Sequence, residues 1–390
     1  MVVDVYGYGF AIYELIALGV LFIAFVYQLY FYIRYQNGVA RLNKLIKRNV
    51  VGFQTEKPAV SVIICAKDEV ENLRQNLPFV LNQEYPNFEV IVVNDGSTDD
   101  TEFLLRELKK EYSQLKSTFV PVGATNLSTK KLALTLGIKA ASNEWLLLTD
   151  ADCMPEDKMW IARMARNFQP GIEIVLGFGA YKKKKGFLNR LIAYDTLFNG
   201  LQYMGMALAG KPYMGVGRNL AYRKEMFFRM NGFAHTLHLR SGDDDLLINR
   251  SATPFNTKVE VSADSITWSE PKKKFIDWFY QKERHLSVST YYTSASKFRL
   301  GVEPFFRALF YLSIIIAIIP LNIITIGVVS LLFLTRFIVQ LVAVNRSAKH
   351  FGVRHHYLSI VIFDIVLPLI NLYIVTFGRM GSQSKRIPWK

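Results

Sequence analysis

The sequence predicts an α/β domain with a mostly parallel sheet, framed by membrane-crossing helices at both ends of the chain. Three observations lead there. Short apolar or β-branched runs at Val60–Cys65, Phe88–Asn94 and Glu144–Thr149 alternate with helical patterns at Glu71–Leu81, Thr101–Tyr112 and Lys131–Ala141, as parallel strands covered on both faces do. Leu15–Ile33 is apolar but for Gln28, and is long enough to cross roughly 30 Å of hydrocarbon as a helix. Beyond Leu300 the chain turns apolar again, with Arg336 the only charge between Ala308 and Val344.

The 390 residues suffice for one large domain or two ordinary ones. Hydrophobic residues make up 51% of the chain, yet its net charge is +15. Spans buried in lipid, flanked by Lys and Arg, account for both properties. A nucleic-acid partner does not, because the basic residues cluster beside apolar segments and not along one soluble face. Cys65 and Cys153 lack a metal-type pair spacing and are too few for a disulfide framework, so they read as buried thiols in a reducing compartment.

Residues 1–34 form the first element, an N-terminal anchor. Tyr27, Tyr30 and Tyr32 suit an interfacial belt, and Arg34, Arg41, Lys44, Lys47 and Arg48 follow at once. A cleavable signal peptide puts its charges first. The anchor is therefore retained, with its amino terminus outside and the chain after Arg34 in the cytoplasm, as in an integral protein of a bacterial inner or plasma membrane. Residues 35–57 are a basic juxtamembrane linker. Residues 58–300 are the α/β domain, including interfacial helices at about 271–300. Residues 301–390 return to the membrane as a hairpin at about 306–344, turning at Pro320 and Asn322, and a segment at 357–377 that Asp364 and Pro368 interrupt. That count leaves a tail with Lys385, Arg386 and Lys390 outside, against the positive-inside rule, so either the last segment re-enters or the count differs. Lys182–Lys185 suits an anionic membrane surface or a solvated loop equally.

In a parallel sheet, ligands bind beyond the carboxyl ends of the strands. There stand Ala66-Lys67-Asp68-Glu69, Asp95-Gly96-Ser97-Thr98-Asp99-Asp100 and Asp150-Ala151-Asp152. So many anions at one edge need cations or hydrogen-bond donors to neutralise them. On an extended segment residues i and i+2 point the same way, so Asp150 and Asp152 can approach one hard divalent ion that shares its shell with phosphates. The other reading is a solvated acidic turn. Asp95 can accept from a uracil-like imide N–H or serve in helix capping, for which Ser97, Thr98 and Asp99 are also suited. Ser241-Gly242-Asp243-Asp244-Asp245 sets three acids before an apolar helix, more than capping needs, and offers a catalytic base. Gln281, Arg284 and His285 share one helical face, fit for a departing diphosphate and an acceptor-side wall, or for an ordinary amphipathic helix.

Taken in order, these landmarks resemble the family 2 inverting glycosyltransferases, whose GT-A fold is Rossmann-like. The resemblance covers roughly Pro58 to His285. VSVIICAKDEVENL looks like the first strand and loop, with Lys67-Asp68-Glu69 where Arg-Asn-Glu is commoner. YPNFEVIVVNDGSTDDT looks like the second strand and its Asp-Gly-Ser turn, TDADC like the metal motif, and GVGRNLAYRKEMF (Gly215–Phe227) like the acceptor loop. The resemblance implies Asp244, beside Asp243 in SGDDDLLINR, as general base. It implies Asp152, with Asp150, as ligand to Mg2+ or Mn2+, and Ala66, Glu69, Asp95 and Lys130 as contacts to the nucleotide-sugar. Gln281-x-x-Arg284-His285 is similar to the Gln-x-x-Arg-Trp signature of membrane-embedded hyaluronan and cellulose synthases, with His285 in place of Trp.

The implied reaction is inverting transfer of a sugar from a nucleotide-sugar, UDP-linked, to a lipid-linked or saccharide acceptor. A metal ion holds the diphosphate and Asp244 takes the acceptor's proton. The alternative is a processive polysaccharide synthase, favoured by Gln281 and disfavoured by His285 and by the few spans. A glycoside hydrolase also pairs carboxylates but needs no phosphate-binding metal motif at a sheet edge. A non-catalytic subunit fits poorly with intact acids at Asp95, Asp152 and Asp244.

Overall fold

The computed structural model describes residues 2–5, 8–120, 129–239 and 241–378. The chain opens with an antiparallel hairpin, β1 (Val2–Val5) and β2 (Tyr8–Ala11), that runs into α1 (Ile12–Phe31). Glu14 sits in the first turn of α1, where its carboxylate accepts from the Ala11 amide at 3.2 Å and complements the helix's positive end. A π-helical turn, Tyr32–Gln36, carries the chain on to the amphipathic α2 (Gly38–Lys47).

The α/β domain follows, built as β3 (Val60–Ala66), α3 (Val70–Leu81), β4 (Phe88–Asn94), α4 (Thr101–Glu111), β5 (Leu115–Phe119), α5 (Thr129–Ala140) and β6 (Trp145–Asp150). Next come β7 (Met154–Pro155), α6 (Trp160–Ala165), β8 (Ile174–Leu176), β9 (Gly179–Tyr181), α7 (Phe187–Leu208), β10 (Leu220–Arg223) and α8 (Lys224–Arg229). The domain closes with α9 (Asp245–Ser251), β11 (Thr257–Val259), β12 (Thr267–Ser269) and α10 (Phe275–Val288). Among the described residues the main sheet has seven strands in the order β11-β8-β10-β6-β3-β4-β5, all parallel except β10, which runs antiparallel to both neighbours. A smaller sheet, β7-β12-β9, lies beside it.

Alternation along β3 shows why the strands read as continuous apolar runs. Val62 and Ile64 join a core with Leu73 and Leu77 of α3, while Ile63 and Cys65 join another with Ala133 and Ile138 of α5. Both faces are covered, so no position in the strand can be polar without a partner. The register pairs Cys65 with Asp150 and Ala66 with Asn94, so β3, β4 and β6 end at one level.

The chain ends in three long helices, α11 (Ser294–Ile318), α12 (Ile323–His350) and α13 (Ser359–Phe377). The hairpin turns where expected, and Asn322 caps α12 by accepting from the Ile324 amide at 3.0 Å. α1, α11 and α12 pack through Ala17, Leu21, Ala24, Phe310, Ala317 and Val329, the three alanines allowing close approach. A buried polar network crosses the helices. Arg336 donates to Asp364 at 2.7 Å and to Gln28 at 2.8 Å, Arg307 donates to Glu303 at 2.8 Å, and Tyr311 donates to Asp364 at 2.7 Å. Two cations face two anions, so the network is neutral, as burial in an apolar bundle demands.

Contrary to the sequence expectation, Asp364 and Pro368 do not interrupt the last segment. α13 is continuous through both, because Asp364 is neutralised by two arginines. The tail residues Lys385, Arg386 and Lys390 lie outside the described residues.

Candidate active site

The three predicted strand ends do meet. β3 lies between β4 and β6, which places Asp95 and Asp150 two strand spacings apart, roughly 10 Å. Asp95 is buried, and its amide donates to the Ala66 carbonyl at 2.8 Å, tying the second strand's end to the first. The loops beyond are laced together. Thr98 donates its amide to Asp68 at 2.6 Å, the Asp68 amide donates to Ser97 Oγ at 2.9 Å, and Asn72 donates to the Glu69 carboxylate. Gly96 has φ +66°, a left-handed turn that favours glycine. Before α4, Asp99 accepts from the Thr101 amide at 3.1 Å and from the Val70 amide at 3.0 Å, joining the starts of α4 and α3.

Asp150 closes β6 and the chain then turns, the Cys153 amide donating to the Asp150 carbonyl at 3.0 Å. The expected extended geometry for Asp150 and Asp152 is thus a turn, yet the result is similar. Ligand atoms of Asp150, Asp152 and Cys153 lie within 4.8 Å of one another. Burial and the neighbouring Asp150 push the Asp152 carboxyl above its ordinary range.

Lys130, in the first turn of α5, reaches Asp150 at 3.1 Å and Asp243 at 3.3 Å. Burial opposes its charge, but the two carboxylates win and hold the ammonium well above its usual range. Burial likewise works against Asp243, and Lys130 overrides it, keeping that carboxyl low. Among the described residues, no cation pairs with Asp244. Its two oxygens accept from the Gly217 amide at 2.6 Å and the Asp245 amide at 2.8 Å, while burial and Asp243 together raise its carboxyl. Asp245 accepts from the Tyr292 hydroxyl at 2.7 Å, and burial with Asp244 nearby pushes it up to about 8. The three acids thus divide into one paired with Lys130 and held low, one bound by two backbone amides and raised, and one bound by a tyrosine and raised. Gly242, with φ +88°, makes the turn that presents them, and a side chain there would strike Leu246.

α10 brings the last predicted group. The Gln281 amide donates to the Tyr181 hydroxyl at 3.1 Å, and the Arg218 guanidinium stacks over the same ring at 4.4 Å. On this helix, desolvation in the cleft, together with the cations Arg284, Arg218, Lys282 and Lys130, lowers the basicity of His285.

Several residues here were not assigned by sequence reasoning. Arg218 lies inside the segment Gly215–Phe227 without a role there, though a basic residue facing the acids is a readable signal. Fully buried Lys131 donates to the Thr236 carbonyl at 2.6 Å and the Leu239 carbonyl at 3.0 Å, bracing the segment before the acids. Lys282 donates to both oxygens of Asp195 at 2.8 Å, pinning α10 to α7. Neither this pair nor Tyr292 carried any local signal.

Residues 61–229 match the family described as Glycosyl transferase family 2. The chain is 25% identical over 283 residues to a Bacillus subtilis (strain 168) protein named "Probable glycosyltransferase YdaM", covering 69% of this chain and 64% of that one. It is 35% identical over 155 residues to a Staphylococcus epidermidis poly-beta-1,6-N-acetyl-D-glucosamine synthase, covering 39% of this chain and 36% of the synthase. Both matches span less than two thirds of the relative. Among solved structures, the mannosyltransferase PcManGT from Pyrobaculum calidifontis, in complex with GDP-Man and Mn2+, superposes with a TM-score of 0.55 at 18% identity, covering 93% of this chain and 97% of that one. The mixed α/β sheet is that of the GT-A fold.

Proposed function

Since residues 61–229 of this chain are a glycosyl transferase family 2 domain, we propose that the protein is a membrane-anchored, metal-dependent, inverting glycosyltransferase. It passes a sugar from a nucleotide-sugar, UDP-linked, to a lipid-linked or saccharide acceptor. The observation that carries this reading is the meeting of Asp150 and Asp243 on Lys130 at one sheet edge, with Asp244 beside them held by two backbone amides and raised by burial and Asp243.

The donor set suits a divalent ion. Two carboxylates lie together with the Cys153 sulfur, and burial keeps that thiol protonated, so oxygen dominates and a hard ion such as Mg2+ or Mn2+ is preferred. Asp152 and Asp150 would hold it. When bound, the ion supplies charge neutralisation to the departing nucleoside diphosphate.

The chain's own groups do the rest. Ala66, Glu69 and Asp95 form the nucleotide side of the cleft, and Lys130 sits between Asp150 and Asp243 and offsets their repulsion. Asp244 takes the proton from the acceptor hydroxyl as its oxygen bonds to the anomeric carbon, and the bond to the diphosphate oxygen breaks with its electron pair. Attack from the opposite face inverts the carbon. Two backbone amides orient Asp244 and leave lone pairs on its oxygens for the proton. Gln281, Arg284 and His285 line the leaving-group and acceptor wall.

The catalytic unit is residues 58–300, with the anchor at 1–34, a linker at 35–57 and the membrane region at 301–390. Five basic residues directly after α1 support a catalytic domain in the cytoplasm and an outside amino terminus. A processive polysaccharide synthase is the second reading, supported by the partial match to the staphylococcal synthases and by Gln281 on α10.

Purified protein is offered a panel of nucleotide-sugars with Mg2+, Mn2+ or chelator, and free nucleotide is measured. Release with one donor, abolished by chelator, is expected. No binding or turnover of any nucleotide-sugar would overturn the reading, and product chain length separates single transfer from processive synthesis.

A further inference from the structure

Four helices among the described residues have the length and hydropathy to cross a bilayer, but α13 is placed unlike the other three. α1, α11 and α12 share a far end, where Asn322 donates to the Gly9 carbonyl at 3.5 Å and Thr325 donates to Glu14. Their near ends run into the catalytic domain. The Thr293 amide, just before α11, donates to Asn249 at 2.8 Å, and His350 at the end of α12 lies 2.6 Å from the Val261 carbonyl.

α13 has no far end. Near its start, the Phe363 ring lies 5.5 Å from those of Phe187 and Tyr194 on α7. Near its finish, the Tyr373 ring lies 6.2 Å from Phe279 on α10, and a Cβ at Gly378 would sit 3.1 Å from Glu283. Glu283 is close along α10 to Gln281, whose amide reaches Tyr181 in the catalytic domain. A helix of 19 residues is about 28 Å long. One that crossed the bilayer would carry its finish about that far from the domain. Both ends of α13 stay on it.

We propose that α13 does not cross, but lies along the bilayer surface on the catalytic side, with protein over one face and lipid acyl chains against the other. Its packed face is Ile360, Phe363, Asp364, Leu367 and Ile374. Its outward face is a continuous apolar stripe at helical spacing: Leu358 (80% exposed), Ile362 (51%), Ile365 (41%), Leu369 (59%) and Leu372 (59%). Beside it, Lys182 and Lys184 both pair with Glu270 at 3.1 Å, so the local charge is net positive and suits anionic head groups. Arg354 donates to the Lys184 carbonyl at 2.6 Å, which sets the Lys182–Lys185 run next to the start of α13. The chain then crosses three times and leaves α13 on the catalytic side, which removes the conflict between the span count and Lys385, Arg386 and Lys390. It also brings the lipid surface beside the helix bearing Gln281 and His285.

Two measurements test this. In sealed vesicles, single-cysteine variants Lys110→Cys on α4 and Ser384→Cys in the tail are probed with a membrane-impermeant maleimide, wild type with its buried Cys65 and Cys153 being the blank. Labelling of both variants from the same side is expected, and labelling from opposite sides overturns the proposal. Fluorophores at Ile362→Cys, Leu369→Cys and Val375→Cys are then quenched with lipids brominated at defined depths, against Ile315→Cys on α11. One common shallow depth, with Ile315→Cys deepest, is expected. A depth profile running through the bilayer centre along α13 overturns the proposal.

Discussion

Replacing Asp244 with Asn keeps the size of the side chain while removing its charge and one acceptor oxygen. The wild-type carboxylate accepts from two backbone amides, Gly217 at 2.6 Å and Asp245 at 2.8 Å. An amide can accept only one of these, so the variant loses one charge-assisted hydrogen bond, about 1.5–3 kcal/mol. The fold survives that loss, because Asp243 remains paired with Lys130 and the turn at Gly242 is untouched. The chemistry does not survive it. A positioned general base contributes about 10²–10⁴-fold to rate, which at 1.36 kcal/mol per tenfold is roughly 3–5.5 kcal/mol of barrier. Initial rates of nucleotide release and calorimetric donor titration measure the two effects apart. The expected outcome is a turnover number lower by at least about 100-fold with donor affinity changed by less than about threefold. Turnover near that of the wild type would refute the assignment of the base, since no amide can take the proton.

Three further expectations follow from the same geometry. Asp244 must be ionised to act and its carboxyl is raised by burial and Asp243, so kcat/KM should fall on the acid side at a pH clearly above the ordinary carboxylate value of about 3.9; a limb at or below that value in a pH–rate profile would contradict it. Asp245 holds its proton to about pH 8 in the folded chain but releases it near 3.9 when unfolded, so the native state binds the extra proton between those values and stability falls as pH rises through them. Asp245→Asn should therefore gain melting temperature relative to wild type from pH 5 to pH 8, which thermal unfolding in detergent will show. Asp364→Ala leaves Arg307 and Arg336 buried with Glu303 as their remaining carboxylate, a loss of about 3–5 kcal/mol readable as a lower unfolding midpoint, whereas Asp364→Leu combined with Arg336→Leu should cost less than Asp364→Ala.

The strands and the acids at their ends were legible in the sequence for a physical reason. A parallel strand covered on both faces carries a polar residue only with a partner, so the first polar residue after each apolar run marks the sheet edge, and Lys67, Asp95 and Asp150 stand there. Capping and turn chemistry are equally local, which is why the hairpin at Pro320 and Asn322 was foreseen. What the sequence could not decide was which groups share a charge. Lys130 meets Asp243 only because α5 and the segment before α9 converge on one strand end, and that contact holds Asp243 low while its two neighbours are raised. Arg218 over Tyr181, Lys282 on Asp195 and Tyr292 on Asp245 are likewise pairs distant in the chain. The position of α13 was decided in the same way. Hydropathy records how apolar a helix is, but only the partners at its two ends show where in the membrane it lies.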